Sequence, residues 1–272
     1  MKPTIEKKSS RLPSMLSRVP AFTLALSAAA LTAATPAVAT TPCQDCRMAS
    51  VMPEPQDPAK APWWQPRHEA KLAEVRAMRE SGRSPKVVFL GDSITQGWEN
   101  VGKPVWDEAF AGYDALNLGF AGDKTENVRW RLKQGEIDGI APRVVVLMIG
   151  TNNTGDRHDE PRKTEAGVLN VLQDLRQRLP GAKVLLLAIF PRGFKADDAM
   201  RAVNAEVNQQ IRVHADGERV HFLDIGASLM NADGTLSPEV MPDGLHLSER
   251  GYRQWAQAMQ PTLAKLLDAS KP

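Results

Sequence analysis

Cysteine is scarce in this sequence: 272 residues contain only Cys43 and Cys46. Two thiols cannot close a four-ligand zinc site. They also precede the periodic part of the chain, in a Pro-rich stretch rather than the βαβ context of a thioredoxin-like motif. The expectation is a local disulfide in an oxidising compartment. An excess of one charge is missing too. Thirty-four Lys and Arg against 32 Asp and Glu leave a net charge of +2, so the charge balance gives no case for a nucleic-acid partner. A long apolar run is also lacking. The strongest, from Ala21 to about Leu31, is too short and too rich in Ala and Thr to span a bilayer well. It follows a basic stretch ending at Arg18 and leads to Ala37-Val38-Ala39. Residues 1–39 therefore read as a secretory signal that is removed, and the expected destination is periplasmic or secreted. Thr41-Pro42 ahead of Cys43 do not suit lipid attachment.

What is present is an alternation. Residues 40–66 read as a Pro-rich linker, closed by Trp63 and Trp64 as a clasp, and residues 67–270 as one domain. Short apolar runs occur at 86–90, 115–118, 144–149, 184–189 and 220–224. Helical patterns lie at 68–80, 125–133, 162–179, 198–214 and 248–267, the last with Ser248 as N-cap. Continuous apolar strands between helices predict an α/β fold with one five-stranded parallel sheet covered on both faces. Right-handed crossovers bring all strand C-termini to one edge, where ligands bind in such sheets.

The strand ends are therefore the places to search. Strand one is followed by Gly91-Asp92-Ser93-Ile94-Thr95, strand two by Gly119-Phe120-Ala121-Gly122-Asp123, and strand three by Gly150-Thr151-Asn152-Asn153. Asp243-Gly244-Leu245-His246 precedes the last helix. Ser93 is either a helix N-cap or a nucleophile awaiting a base. Asp243 and His246 are either a turn acid and a surface imidazole, or an acid orienting a base. Gly122 and Asn152 are either turn residues or donors for an oxyanion, together with the Ser93 N–H. Thr95 replaces the second glycine of a G-x-S-x-G elbow, so the α/β-hydrolase motif does not apply. Asp92 and Asp123 read as hydrogen-bonding the loops that shape the crevice. His221 reads as packing, His68 and His214 as helix residues, and His158 as a rim residue. Trp98, Phe120 and Arg192 are placed near the crevice as possible substrate contacts.

Taken together, the four blocks resemble the SGNH, or GDSL-like, hydrolase superfamily, with Ile94 where the name has Leu. Trp130-Arg131-Leu132-Lys133-Gln134-Gly135-Glu136 and Phe190-Pro191-Arg192-Gly193 are similar to the branch containing the catalytic α subunits of platelet-activating-factor acetylhydrolase. The resemblance runs from about Trp64 to Leu267. It implies a flavodoxin-like three-layer α/β/α fold and ester hydrolysis without metal or cofactor. It further implies Ser93 as nucleophile, His246 as base, Asp243 as its acid, and Ser93, Gly122 and Asn152 as oxyanion donors. The substrate implied is a small-molecule, glycan or lipid ester, with a short acyl group such as acetyl. Competing readings are a metal-dependent phosphoesterase built on Asp92, Asp123, Asp243 and His246, a non-catalytic carbohydrate- or lipid-binding module, and an acyltransferase using the same groups.

Overall fold

The computed structural model describes residues 49–269; the expected signal segment and the Cys43 and Cys46 pair lie outside them. Five strands, β1 (Val87–Gly91), β2 (Leu116–Gly119), β3 (Val144–Met148), β4 (Lys183–Leu187) and β5 (Val220–Leu223), form one sheet in the order β2-β1-β3-β4-β5. Every pairing is parallel. Successive side chains of a strand point to opposite faces. Thus Val87, Phe89, Val144, Val146 and Met148 pack on one side against α3 (Lys103–Phe110), α8 (Gly226–Leu229) and α9 (Glu249–Asp268). Val88, Leu90, Val145 and Leu147 pack on the other against α1 (Trp64–Glu80), α4 (Thr125–Lys133), α6 (Pro161–Arg178) and α7 (Ala199–Arg212). The result is the expected three-layer α/β/α arrangement. Strand order reverses at β1, which lies between β2 and β3, and that reversal opens a crevice beyond the strand ends.

Residues 49–63 do not behave as the expected linker. They form a strap packed on α4, opening with a 3-10 turn at Ala49–Val51, and the first α-helix begins at Trp64. The Ser50 carbonyl accepts from Thr125 Oγ1 at 2.8 Å and the Val51 carbonyl accepts from Arg129. Glu54 bonds α4 at both its N–H and its carbonyl, the latter from Asn127 Nδ2 at 2.9 Å. Proline content signalled irregular backbone here correctly, but irregular backbone can still dock when side chains satisfy its polar groups. Of the expected clasp, Trp64 is buried and Trp63 is exposed.

A buried charge cluster lies beneath the crevice. Arg131, fully buried, donates from Nε to Asp123 at 2.8 Å, from Nη1 to Glu136 and from Nη2 to the Leu118 carbonyl. His68 Nδ1 lies 3.2 Å from Glu136 on its other side. Phe120, sandwiched between the guanidiniums of Arg131 and Arg67, is wholly buried. Trp98 is also wholly buried, among Phe110, Tyr252 and Trp255. Neither aromatic can touch a ligand, contrary to the sequence expectation: both turn back from the strand end into the core.

The turn after β1 leads into α2 (Ser93–Gln96), capped by Asp92 Oδ1, which accepts from the Ile94 N–H at 3.0 Å. Its other oxygen, Oδ2, is buried without a partner. Burial pushes the Asp92 carboxyl from 3.8 up to about 7. At the far end of the chain, the Tyr252 hydroxyl on α9 donates to the Ile94 carbonyl at 2.7 Å and fixes this same turn from below.

Two outcomes follow from these buried groups. Arg131→Met leaves two buried carboxylates without their cation and should cost about 3–5 kcal/mol of unfolding free energy. Urea unfolding measures this, and a loss under about 1 kcal/mol would mean that the carboxylates do not depend on Arg131. Asp92 binds a proton in the folded state that the unfolded chain releases, so stability declines as pH rises from about 4 to about 7. Asp123, which burial raises to about 6, adds a smaller part of that decline. Asp92→Asn keeps the acceptor for Ile94 and should flatten the fall in Tm across this window. Identical slopes for the two proteins would place the titration elsewhere.

Candidate active site

Ser93 is the first residue of α2, and the capping role falls to Asp92. The Ser93 hydroxyl is therefore free of the helix end and meets His246 Nε2 at 2.9 Å. Gly91 is needed for close approach rather than for a special bend. A Cβ there would lie 2.4 Å from the Met148 carbonyl and 2.2 Å from Thr95 Oγ1. β1 could not then sit against β3 and α2 together.

His246 and Asp243 stand on the turn before α9. Asp243 Oδ1 accepts from the backbone N–H groups of Leu245 and His246 at 2.9 and 2.7 Å. Oδ2 accepts from His246 Nδ1 at 2.7 Å. Partial burial tends to raise the Asp243 carboxyl, but these bonds hold it below its ordinary value. With Nδ1–H directed at this carboxylate, Nε2 presents a lone pair to Ser93. Both side chains are about half exposed, at 46% for His246 and 56% for Asp243, so the group opens to solvent.

Ser93, at the first helical position, has an N–H with no intrahelical acceptor. Gly122 follows β2 with φ +75°, a left-handed conformation that side chains strain to adopt, and it is exposed. Asn152 sits in α5 (Thr151–Gly155), where its Nδ2 donates to the Asp123 carbonyl at 2.9 Å. That bond occupies one of the two amide hydrogens and orients the other. The chain thus brings Ser93, His246 and Asp243 into contact, with Asn152 tied to the loop that carries Gly122 and Asp123.

Asp123 is not a surface ligand group. It is fully buried and accepts from Trp64 Nε1 at 2.7 Å, Gln56 Nε2 at 2.8 Å and Arg131 Nε at 2.8 Å. Burial pushes its carboxyl up to about 6, against the opposing pull of Arg131 and these donors. Gln56 carried no sequence signal, yet its amide also donates to the Ala121 carbonyl at 2.8 Å. It thereby clasps both neighbours of Gly122. Among the described residues, no three His, Cys, Asp or Glu side chains gather to hold a metal ion.

The remaining sequence candidates divide. Arg192 is half-buried and donates to the Thr151 carbonyl at 3.2 Å, on the wall beside α5. His158 is exposed with φ +57°. His214 pairs with Glu165 at 2.6 Å, and His221 lies against the Glu218 carbonyl at 3.2 Å. His68 is buried on Glu136 beneath the site.

Residues 89–254 match the model of the GDSL-like lipase/acylhydrolase family. The chain is 36% identical to the human platelet-activating factor acetylhydrolase IB subunit alpha1 over 205 residues, which are 75% of this chain and 84% of that one. Among solved structures, its fold resembles a GDSL-like lipase from Bacteroides thetaiotaomicron, with TM-score 0.57 and 18% identity over 73% of this chain and 97% of the other. It also resembles a carbohydrate acetylesterase family member from Sinorhizobium meliloti, with TM-score 0.52 and 17% identity over 67% and 98%. No helix among the described residues is long and apolar enough to cross a membrane. By sequence, fold and the match across its sheet, the chain belongs to the GDSL-like lipase/acylhydrolase family and is a hydrolase of the esterase type.

Proposed function

We propose that this protein cleaves carboxylic esters through a Ser93, His246 and Asp243 triad and an acyl-enzyme. The observation that carries the reading is the contact chain itself: Ser93 Oγ at 2.9 Å from Nε2, and Asp243 Oδ2 at 2.7 Å from Nδ1 of the same ring. His246 takes the hydroxyl proton as Ser93 Oγ attacks the ester carbonyl. Asp243, an ionised carboxylate, holds the ring's orientation and stabilises the imidazolium as it forms. The N–H groups of Ser93 and Gly122 and the second amide hydrogen of Asn152 receive the oxyanion. His246 then gives its proton to the departing alcohol. A water molecule, deprotonated by the same imidazole, attacks the acyl-enzyme; His246 returns that proton to Ser93 Oγ as the acyl bond breaks and the carboxylic acid leaves.

The acyl group proposed is short, with acetyl as the first choice, on a lipid or a carbohydrate. The names of the relatives support this choice: an acetylhydrolase among the sequence matches and a carbohydrate acetylesterase family member among the structural ones. The leader read from residues 1–39 supports export, and the periplasm or the cell exterior is the site of action proposed.

A hydrolysis panel running from acetyl to long-chain esters and including acetylated sugars, with wild type and Ser93→Ala in parallel, tests the proposal. Wild type should cleave the short esters and Ser93→Ala should lose that activity; equal rates would remove Ser93 as nucleophile. Asn152→Ala should lower kcat about 10²- to 10³-fold with little change in KM, since one oxyanion donor is worth about 3–4 kcal/mol in the transition state. Steady-state kinetics checks this, and an unchanged kcat would exclude Asn152 from the oxyanion site.

A further inference from the structure

The strap that holds the Gly122 loop also forms one wall of a cavity. This cavity, of about 510 Å³, lies between residues 54–61 on one side and Gly122, the start of α4 and Asp156-Arg157 on the other. Gly122 is shared between the cavity and the oxyanion site, so the space begins where a bound ester group would end. Its size falls in the range of small-molecule sites.

Most of the lining residues are polar, and apolar atoms make up somewhat more than half of the surface they expose. The lining carries four carboxylates and three cations, with Pro55 and Ala61 as its apolar side chains. Lys124 pairs with Asp156 at 2.9 Å and Arg157 pairs with Glu126, so the opposite charges largely neutralise one another. An acyl chain or lipid tail laid here would strip water from these charged groups without replacing their hydrogen bonds, whereas a sugar offers hydroxyls to them and a C–H face to the apolar surface between. The near balance of charge also gives no reason for a strongly anionic or cationic ligand to settle. A neutral group with many hydroxyls suits such a wall, because each hydroxyl can donate to a carboxylate and accept from an ammonium or guanidinium. Glu54 and Lys60 are exposed on the strap, and their side chains form no hydrogen bond or ion pair with the rest of the described chain. They remain available to such hydroxyls.

We infer that this cavity receives the alcohol part of the ester, and that this part is a neutral, hydroxyl-rich group of the carbohydrate class. The inference rests on the esterase reading above and narrows it from lipid or carbohydrate to carbohydrate. The test compares wild type with Glu54→Ala/Lys60→Ala on three acetyl esters: an acetylated xylo-oligosaccharide, p-nitrophenyl acetate, and an acetylated glycerophospholipid in mixed micelles. Both substitutions trim exposed side chains that hold nothing in the fold. Wild type should favour the oligosaccharide in kcat/KM. The double variant should raise KM for it about 5- to 10-fold, the loss of one or two hydrogen bonds, and leave p-nitrophenyl acetate unchanged. An unaltered KM for the oligosaccharide, or a wild-type preference for the phospholipid, would overturn the assignment while leaving the esterase intact. Failure of wild type to cleave any of the three would instead strike the esterase reading, and this inference with it.

Discussion

The Asp123 and Arg131 ion pair is the constraint on which the crevice depends. An ion pair with no solvent exposure is stable only when its remaining hydrogen-bonding capacity is filled. Here the filling comes from several elements at once. Arg131 on α4 reaches the carbonyl at the end of β2 and the Glu136 carboxylate, while Asp123 collects the indole of α1 and the strap amide of Gln56. The loop between β2 and α4 is thereby fixed at both its buried carboxylate and its exposed glycine. The charge cluster determines where Gly122 sits, although none of its ionised groups faces a substrate.

The three groups proposed to react differ in setting. Ser93 stands on a turn buried from three directions, by the Asp92 cap, by Thr95 against Gly91, and by the tyrosine hydroxyl from α9. His246 and Asp243 are half exposed and owe their mutual geometry to a local turn in which one carboxylate accepts two backbone N–H groups as well as the ring. The Ser93 hydroxyl is positioned by the core, and the His246 imidazole by a loop that carries its own hydrogen-bonding carboxylate.

Much of this was legible in the sequence because parallel strands buried on both faces read as unbroken apolar runs. All five appear within a residue or two of their expected places, as does α4 at 125–133. The D-x-x-H spacing and the strand-end glycines pointed to residues that do come together. The strap was not legible: Pro-rich composition reports the absence of regular structure, and docking depends on partners such as Asn127 and Arg129 that lie more than seventy residues away. Trp98 and Phe120 were misplaced for a related reason, since an aromatic beside a motif has the same sequence signature whether it faces the crevice or the core. Gln56 left no trace at all, because a single amide takes its role entirely from what the fold sets opposite it. The short helix α3 was also missed; its eight residues are too few for a clear period.

The bond from Tyr252 to the Ile94 carbonyl spans 158 positions of sequence. The part of the chain that braces the Ser93 turn is thus synthesised long after it, as are His246 and Asp243. A nascent chain halted before Asp243 would carry Ser93 without its imidazole partner and the turn without its brace. The proposed chemistry is in this sense withheld until α9 has emerged and closed over the sheet.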